Sequence, residues 1–152
     1  MFTWSAIQEQ YIILQLVMGT GLRPDGASLI PWARGKCMAW DATIPDTLAA
    51  SHLQSTRHST GAAAAHAASL KSAKYSALLS TYIFVPVAIE TLGAWNPEGI
   101  NLVQEIGRRA SIITGDPREG SFIFQRISVA VQRGNATSFS GTLPAESTED
   151  DI

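Results

Sequence analysis

The sequence predicts a small α/β (α+β) domain: a small mixed sheet built on a β-hairpin, with flanking helices. Three observations carry this. Residues 27–32 and 36–44 are short strand-like runs separated by Ala33-Arg34-Gly35, a hairpin spacing. Residues 82–91, YIFVPVAIET, are β-branched and aromatic and read as a third strand of the same sheet. Between them, the alanine-dense stretch from 62 to about 80 has the composition of highest helix propensity. The chain has 152 residues, 45% of them hydrophobic and 16% charged. Disorder, a collagen repeat and a coiled coil are thereby excluded for its body. A chain of this size buries about two-thirds of its unfolded surface, so it needs no staple. The single cysteine, Cys37, excludes a disulfide framework and a cysteine zinc site, and fits a reducing compartment.

Residues 2–18 form an expected first helix, with Ile7, Tyr11, Leu14 and Met18 spaced by three or four. Gly19-Thr20-Gly21 ends it, and Arg23-Pro24-Asp25-Gly26 is a turn signal. After the hairpin, Pro45-Asp46 closes the second strand, and Asp46 or Thr47 is placed to cap a short helical turn. Residues 51–61, rich in Ser, Thr and His, read as a loop. Pro86 inside the third strand lacks a donor and points to an edge or a bulge. Residues 97–109 fit a helix opened by Pro97, with Ile100, Val103 and Ile106 inward. Gly115-Asp116-Pro117 is a turn. Residues 119–133 make the last helix, with Ile123, Ile127, Ala130 and Val131 inward and Gly134-Asn135 as its cap. The expected organisation is a divergent N-terminal helix over 1–21, a domain over 22–136 and a flexible acidic tail over 137–152.

The formal net charge is −2, but Glu146, Glu149, Asp150 and Asp151 lie in the last seven residues. Residues 1–145 carry 11 basic and 9 acidic groups, so a weakly basic body adjoins an acidic tail. That balance allows a polyanionic partner without requiring one. The apolar run 11–18 lacks a basic flank and a cleavage site, and is far short of the roughly 20 residues a membrane span needs. No signal peptide or membrane partner is expected, and the location expected is intracellular.

Asp25 stands where the chain enters the first hairpin strand, and Asp41 lies within the second, in Trp40-Asp41-Ala42-Thr43. Strand side chains alternate, so Cys37, Ala39, Asp41 and Thr43 share one face. Met38, Trp40, Ala42 and Ile44 share the other, which is more apolar and is expected to meet the core. Asp41 then faces a surface or cleft, with Asp25 at the hairpin's open end. Two converging carboxylates make a hard oxygen site suited to Mg²⁺. The alternative is a turn aspartate and a solvated strand aspartate, since Asp-Gly turns are common.

Arg23-Pro24-Asp25-Gly26, with Asp41-Ala42-Thr43 beginning fifteen positions after Gly26, resembles the signature of restriction-like nucleases of the PD-(D/E)XK class. The ordered blocks RPDGASLIPWARGKCMAWDATIPDTLAASH, KSAKY, FVPVAIETLGAW, EIGRR, TGDPRE and FQRISVAVQRGNA resemble the C-terminal tail of reverse-transcriptase polyproteins from invertebrate retroelements. That tail is similar to the restriction-like endonuclease domain of site-specific non-LTR retrotransposons. The resemblance spans about residues 22–143. It implies a restriction-endonuclease-like fold and a metal-dependent DNA endonuclease using Mg²⁺ or Mn²⁺. It also implies DNA or RNA–DNA intermediates as partners, a linked reverse transcriptase in a longer parent polyprotein, and a nuclear location if active.

Such chemistry needs a lysine beside the carboxylates to orient the attacking water and offset phosphate charge. Its usual place in this class, two residues after the second acid, is held here by Thr43. The resemblance implies that it has moved to the following helix, where Lys71 and Lys74 stand. Leu70, Ala73 and Ala77 are the apolar stripe expected to dock that helix on the sheet, and Lys74, beside Tyr75, is the favoured candidate. Glu90 would complete a metal shell or else end a solvent-facing strand. Glu9 lies where many such nucleases carry a helical acid. Arg108, Arg109, Arg126 and Arg133 are candidate phosphate contacts or solvated helix residues. His52, His58 and His66 lack ligand spacing and read as loop and helix-surface residues. The missing strand lysine leaves a second reading: a catalytically eroded fragment of the same fold that binds nucleic acid or protein.

Overall fold

The computed structural model describes residues 22–142. The helix expected over 2–18, Glu9 and the four acids of the tail lie outside the described residues. The elements run β1 (Gly26–Ala27), β2 (Met38–Thr43), α1 (Ala50–Thr56), α2 (Ala62–Lys74), β3 (Ile83–Ala88), α3 (Pro97–Thr114) and α4 (Glu119–Ser140). A 3-10 turn, Ser76–Ser80, joins α2 to β3. The three strands form one mixed sheet in the order β1-β2-β3, with β1 antiparallel and β3 parallel to β2. The domain is mixed α+β. A parallel pair needs a crossover, and α1 with α2 supplies it.

The hairpin forms, but its first strand is shorter than expected. Gly26 faces Trp40 and Ala27 faces Ala39 in register. The pairing then shifts from backbone to side chain: Ser28 N–H still donates to the Met38 carbonyl, while the Ser28 hydroxyl oxygen accepts the Met38 N–H at 2.9 Å. Residues 29–31 leave the ladder, and Leu29 and Ile30 are exposed. Pairing resumes at the bridge of Ala33 with Lys36, where Arg34 and Gly35 have φ of +50° and +70°. Two successive positive φ values make the primed two-residue turn whose twist suits a hairpin. Gly26 is glycine because the Trp40 indole lies across it; a Cβ there would sit 2.1 Å from a ring carbon.

β3 is an edge strand, which accommodates Pro86 as the sequence predicts. Its open side is closed by one residue. The Asn96 carboxamide oxygen accepts the Ala88 N–H at 2.8 Å, and its amide nitrogen donates to the Pro86 carbonyl at 2.9 Å. Asn96 is fully buried, so its amide stands in for the strand that is absent and keeps this edge from pairing with another chain.

Helix α2 covers one face of the sheet, and Ala64 and Ala68 pack on Ala88. The docking stripe is therefore not Leu70, Ala73 and Ala77: Leu70 is 59% exposed, and both alanines are exposed. Alanine side chains permit a close approach of helix to sheet, which outweighs the larger but scattered Leu70. Residues 51–61 are likewise not wholly a loop, because Ala50–Thr56 is helical. The Ser55 and Thr56 hydroxyls donate to the His52 carbonyl, and Thr56 also donates to the Thr47 carbonyl, so the polar side chains are satisfied without leaving the helix.

On the opposite face α3 buries Leu102, Val103 and Gly107, whereas Ile106 is 37% exposed, a rotation from the expected inward set. The last helix runs through Gly134-Asn135 to Ser140 instead of ending there, and its Ala130 is exposed. The Asn135 amide donates to the Thr91 carbonyl at 2.8 Å, so that residue ties α4 to the loop after β3 and does not cap it. Helices α3 and α4 meet at Gly107 and Gly120. A Cβ on Gly107 would stand 2.4 Å from the Gly120 Cα, whereas one on Gly120 would meet only the Gly107 Cα, at 3.8 Å. Gly107→Ala should therefore cost about 1–3 kcal/mol through overpacking. Gly120→Ala should be neutral or stabilising by up to about 1 kcal/mol, through helix propensity. Urea denaturation of the two variants checks this asymmetry.

Candidate functional site

Asp41 sits mid-way along β2, the central strand, and is 3% exposed. The face it shares with Ala39 is buried, contrary to the surface or cleft expected. Ala39 is fully buried, while on the other face Met38 is buried and Ala42 and Ile44 are exposed. Hydrophobicity alone misassigned the faces because α2 brings small residues and a polar pair to that side.

Two residues of α2 and its end meet the carboxylate. Ala64, Ala68, Lys71 and Tyr75 recur at spacings of four, three and four, so they share one helical face. The Lys71 ammonium forms an ion pair with Asp41 Oδ2. The Tyr75 hydroxyl lies 2.9 Å from the Arg23 carbonyl oxygen and 3.2 Å from Asp41 Oδ1, and its one proton is shared between these two acceptors. Asp41 above all, with smaller contributions from Tyr75 and Asp25, holds the Lys71 pKa above the usual lysine value, against the opposing effect of burial. A lysine raised on folding contributes stability that is complete below the unfolded pKa of 10.5 and is lost as pH rises through the higher folded value. The pair therefore persists through the neutral range.

Asp25 is exposed at the entry to β1, and its Oδ2 accepts the Ala42 N–H at 2.7 Å. The hairpin register thus brings both aspartates to one end of the sheet, with Asp25 bonded to the residue next to Asp41. Lys74, favoured by sequence, is not the partner. It is exposed, and its ammonium lies 4.8 Å from the Tyr75 ring centroid. Lys71 and Lys74 lie about 60° apart around the axis at 3.6 residues per turn, and the alanine stripe selects the first.

Glu90 is not a solvated strand end. It is 1% exposed, and its Oε1 accepts the N–H groups of Ala63 and Ala64 at 3.0 and 3.2 Å. Helix α2 opens at Gly61, which has no side-chain acceptor, so the cap comes from a distant carboxylate that also suits the positive end of the helix. Among the described residues no group of three or more His, Cys, Asp and Glu side chains is placed to hold a metal by itself.

The four arginines stand apart from Asp41. Arg108 and Arg109 both bond Glu105, and Arg108 foremost holds that carboxyl down to about 2. Arg109 also stacks on Trp32, 3.6 Å from its ring centroid, and donates to the Trp32 carbonyl. Arg126 and Arg133 lie exposed on α4, which packs on α3 and the loop after β3. Their layer is separated from the Asp41 face by α3 and the sheet. His52 lies in α1 and His66 in α2, their rings 6.2 Å apart, and neither meets Asp41. No helix among the described residues is long and apolar enough to cross a membrane.

Comparison with known protein families, with curated proteins and with solved structures gives no match for this chain.

Two outcomes separate the roles assigned here. Lys71→Ala leaves a buried carboxylate unpaired and should cost about 2–4 kcal/mol. Lys74→Ala should stay within about 0.5 kcal/mol; chemical denaturation reads both. Glu90→Ala strands two buried N–H groups, at about 1–3 kcal/mol each. Glu90→Gln keeps the accepting oxygen and should lower the thermal midpoint far less.

Proposed function

We propose that this chain is a restriction-like, metal-dependent endonuclease domain of retroelement origin that hydrolyses DNA phosphodiesters. The observation that carries this reading is the pairing of Asp41 on β2 with Lys71 on the helix that follows. Carboxylate and ammonium come from the two positions the resemblance implies, and Asp25 is bonded one residue away.

The donor set suits a hard divalent ion. Asp41 Oδ2 is an anionic oxygen that faces Lys71, and Asp25 is exposed, with its Oδ2 bonded to the Ala42 N–H. Two carboxylates, with water and substrate phosphate completing the shell, are the usual protein share for Mg²⁺. Bound there, Mg²⁺ or Mn²⁺ would stabilise charge on the phosphoryl oxygens and lower the pKa of an attacking water. Asp25 and Asp41 are the residues that would hold it. Lys71, a quarter exposed, reaches solvent from the side of Asp41 Oδ2 and is placed to donate to the attacking water or to a phosphoryl oxygen. In the overall reaction the water oxygen bonds to phosphorus and the bond from phosphorus to the 3′-oxygen breaks. That oxygen takes a proton and leaves as a 3′-hydroxyl, the end a linked reverse transcriptase extends. Arg126 and Arg133, which meet no carboxylate among the described residues, are the open candidates for phosphate contact along DNA or an RNA–DNA intermediate. A nuclear location follows from this reading if the domain is active.

One observation favours the second reading, an eroded fold that binds without cutting. Asp41 is almost wholly buried and already neutralised by Lys71.

Nicking of supercoiled DNA in Mg²⁺ or Mn²⁺ separates the two. Asp25→Asn is the cleanest variant, because the residue is exposed and asparagine still accepts the Ala42 N–H. It should retain the wild-type circular dichroism spectrum and lose about 100-fold in rate. A wild-type chain that never nicks, yet binds DNA with an affinity falling steeply with salt, establishes the binding module instead.

A further inference from the structure

Tyr75 is the largest fully buried side chain in the described part of the molecule, and its hydroxyl is spent on the site rather than on the core. Its ring packs on Phe84, with centroids 4.7 Å apart, and joins Leu78, Leu22 and Tyr82 in one apolar cluster. That packing leaves the ring no freedom, so the hydroxyl is delivered to one place. There it meets Asp41 Oδ1 on the central strand and the Arg23 carbonyl two residues before Asp25. A single hydroxyl therefore links the segment that carries the first acid to the side chain of the second. It also divides the work of the Asp41 oxygens. Oδ1 accepts from Tyr75, and Oδ2 is paired with Lys71.

We infer that Tyr75 is a positioning residue, which fixes the rotamer of Asp41 so that Oδ2 is presented to Lys71 and to an incoming divalent cation. Its importance for catalysis rests on the nuclease reading; its control of the Asp41 carboxylate does not. Without the hydroxyl, Asp41 turns about its side-chain torsions, Lys71 loses a fixed partner, and the spacing to Asp25 is no longer defined.

The test uses the full chain carrying Tyr75→Phe, which keeps the ring against Phe84 and removes only the hydroxyl. Limited acetylation with mass spectrometry reads Lys71 against Lys36 and Lys74, the other two lysines of the chain. In wild type Lys71 should label more slowly than Lys74. In Y75F its relative labelling should rise severalfold while circular dichroism stays native. In the nicking assay, kcat should fall about tenfold or more, with a higher Mn²⁺ requirement and unchanged KM for DNA. A native Y75F with unchanged Lys71 labelling and unchanged kcat overturns the inference, even in an active nuclease. A wild-type chain inactive with every ion, in which Y75F still frees Lys71, refutes the nuclease reading and supports the positioning role. Should Y75F not fold, the Tyr75 hydroxyl proton in the wild-type NMR spectrum reports the same bond. It should shift in Asp41→Asn, where a charge-assisted bond becomes a neutral one, and its indifference to that change overturns the inference.

Discussion

A carboxylate placed in the middle of the central strand and covered by a helix cannot be left to itself. Desolvating an ionised aspartate costs far more than any single contact returns, so Asp41 is tolerated only because partners converge on it. Those partners set much of what surrounds them. The face α2 turns to the sheet must present a cation, which places Lys71 in the docking stripe between Ala68 and Tyr75. The alanines before it let the helix lie close enough for that reach. The helix ends at Tyr75, whose hydroxyl answers the remaining oxygen and ties in the chain at Arg23.

The same economy of buried polar groups governs the rest of the sheet. Three strands leave two edges and little apolar area, so single side chains complete what backbone pairing leaves open. Asn96 closes the outer edge of β3, and Ser28 replaces a strand carbonyl opposite Met38. Glu90 caps α2 from inside, just beyond the end of β3, because Gly61 cannot. Each of these residues looks like a surface polar group in the sequence, yet Asn96 and Glu90 are among the most buried residues of the domain. Glu90 serves as the cap of α2, whereas Asp25 and Asp41 are brought side by side on the hairpin.

Architecture also separates two kinds of positive charge. Lys71 is part of the Asp41 cluster, on the α2 side of the sheet. The arginines lie on α3 and α4, beyond the opposite face, with Arg108 and Arg109 engaged by Glu105 and Trp32. An extended polyanion would have to pass around an edge of the domain to touch both Lys71 and α4. The close meeting of Gly107 with Gly120 holds α4 against α3.

Local sequence determined most of the elements and their types, with α1 the exception. Alanine density makes α2, a β-branched and aromatic run makes β3, and the pair Arg34-Gly35 makes the hairpin turn; Pro86 marks the edge strand. The roles of Asp25 and Asp41 as neighbours were legible as well, because a hairpin register fixes which residues come together. The boundary of α4 was misread because Gly134-Asn135 is a good stop signal until Asn135 finds the Thr91 carbonyl. The covered face of β2 was misread because the alternation of Met38, Trp40 and Ala42 outweighs that of Ala39 and Asp41 on any hydropathy scale. Which of two lysines reaches Asp41, what Glu90 binds and where Tyr75 sends its hydroxyl were decided only in three dimensions. Each depends on the distance and rotation at which α2 lies on the sheet. That placement is set by packing between residues far apart in the chain, and no local pattern encodes it.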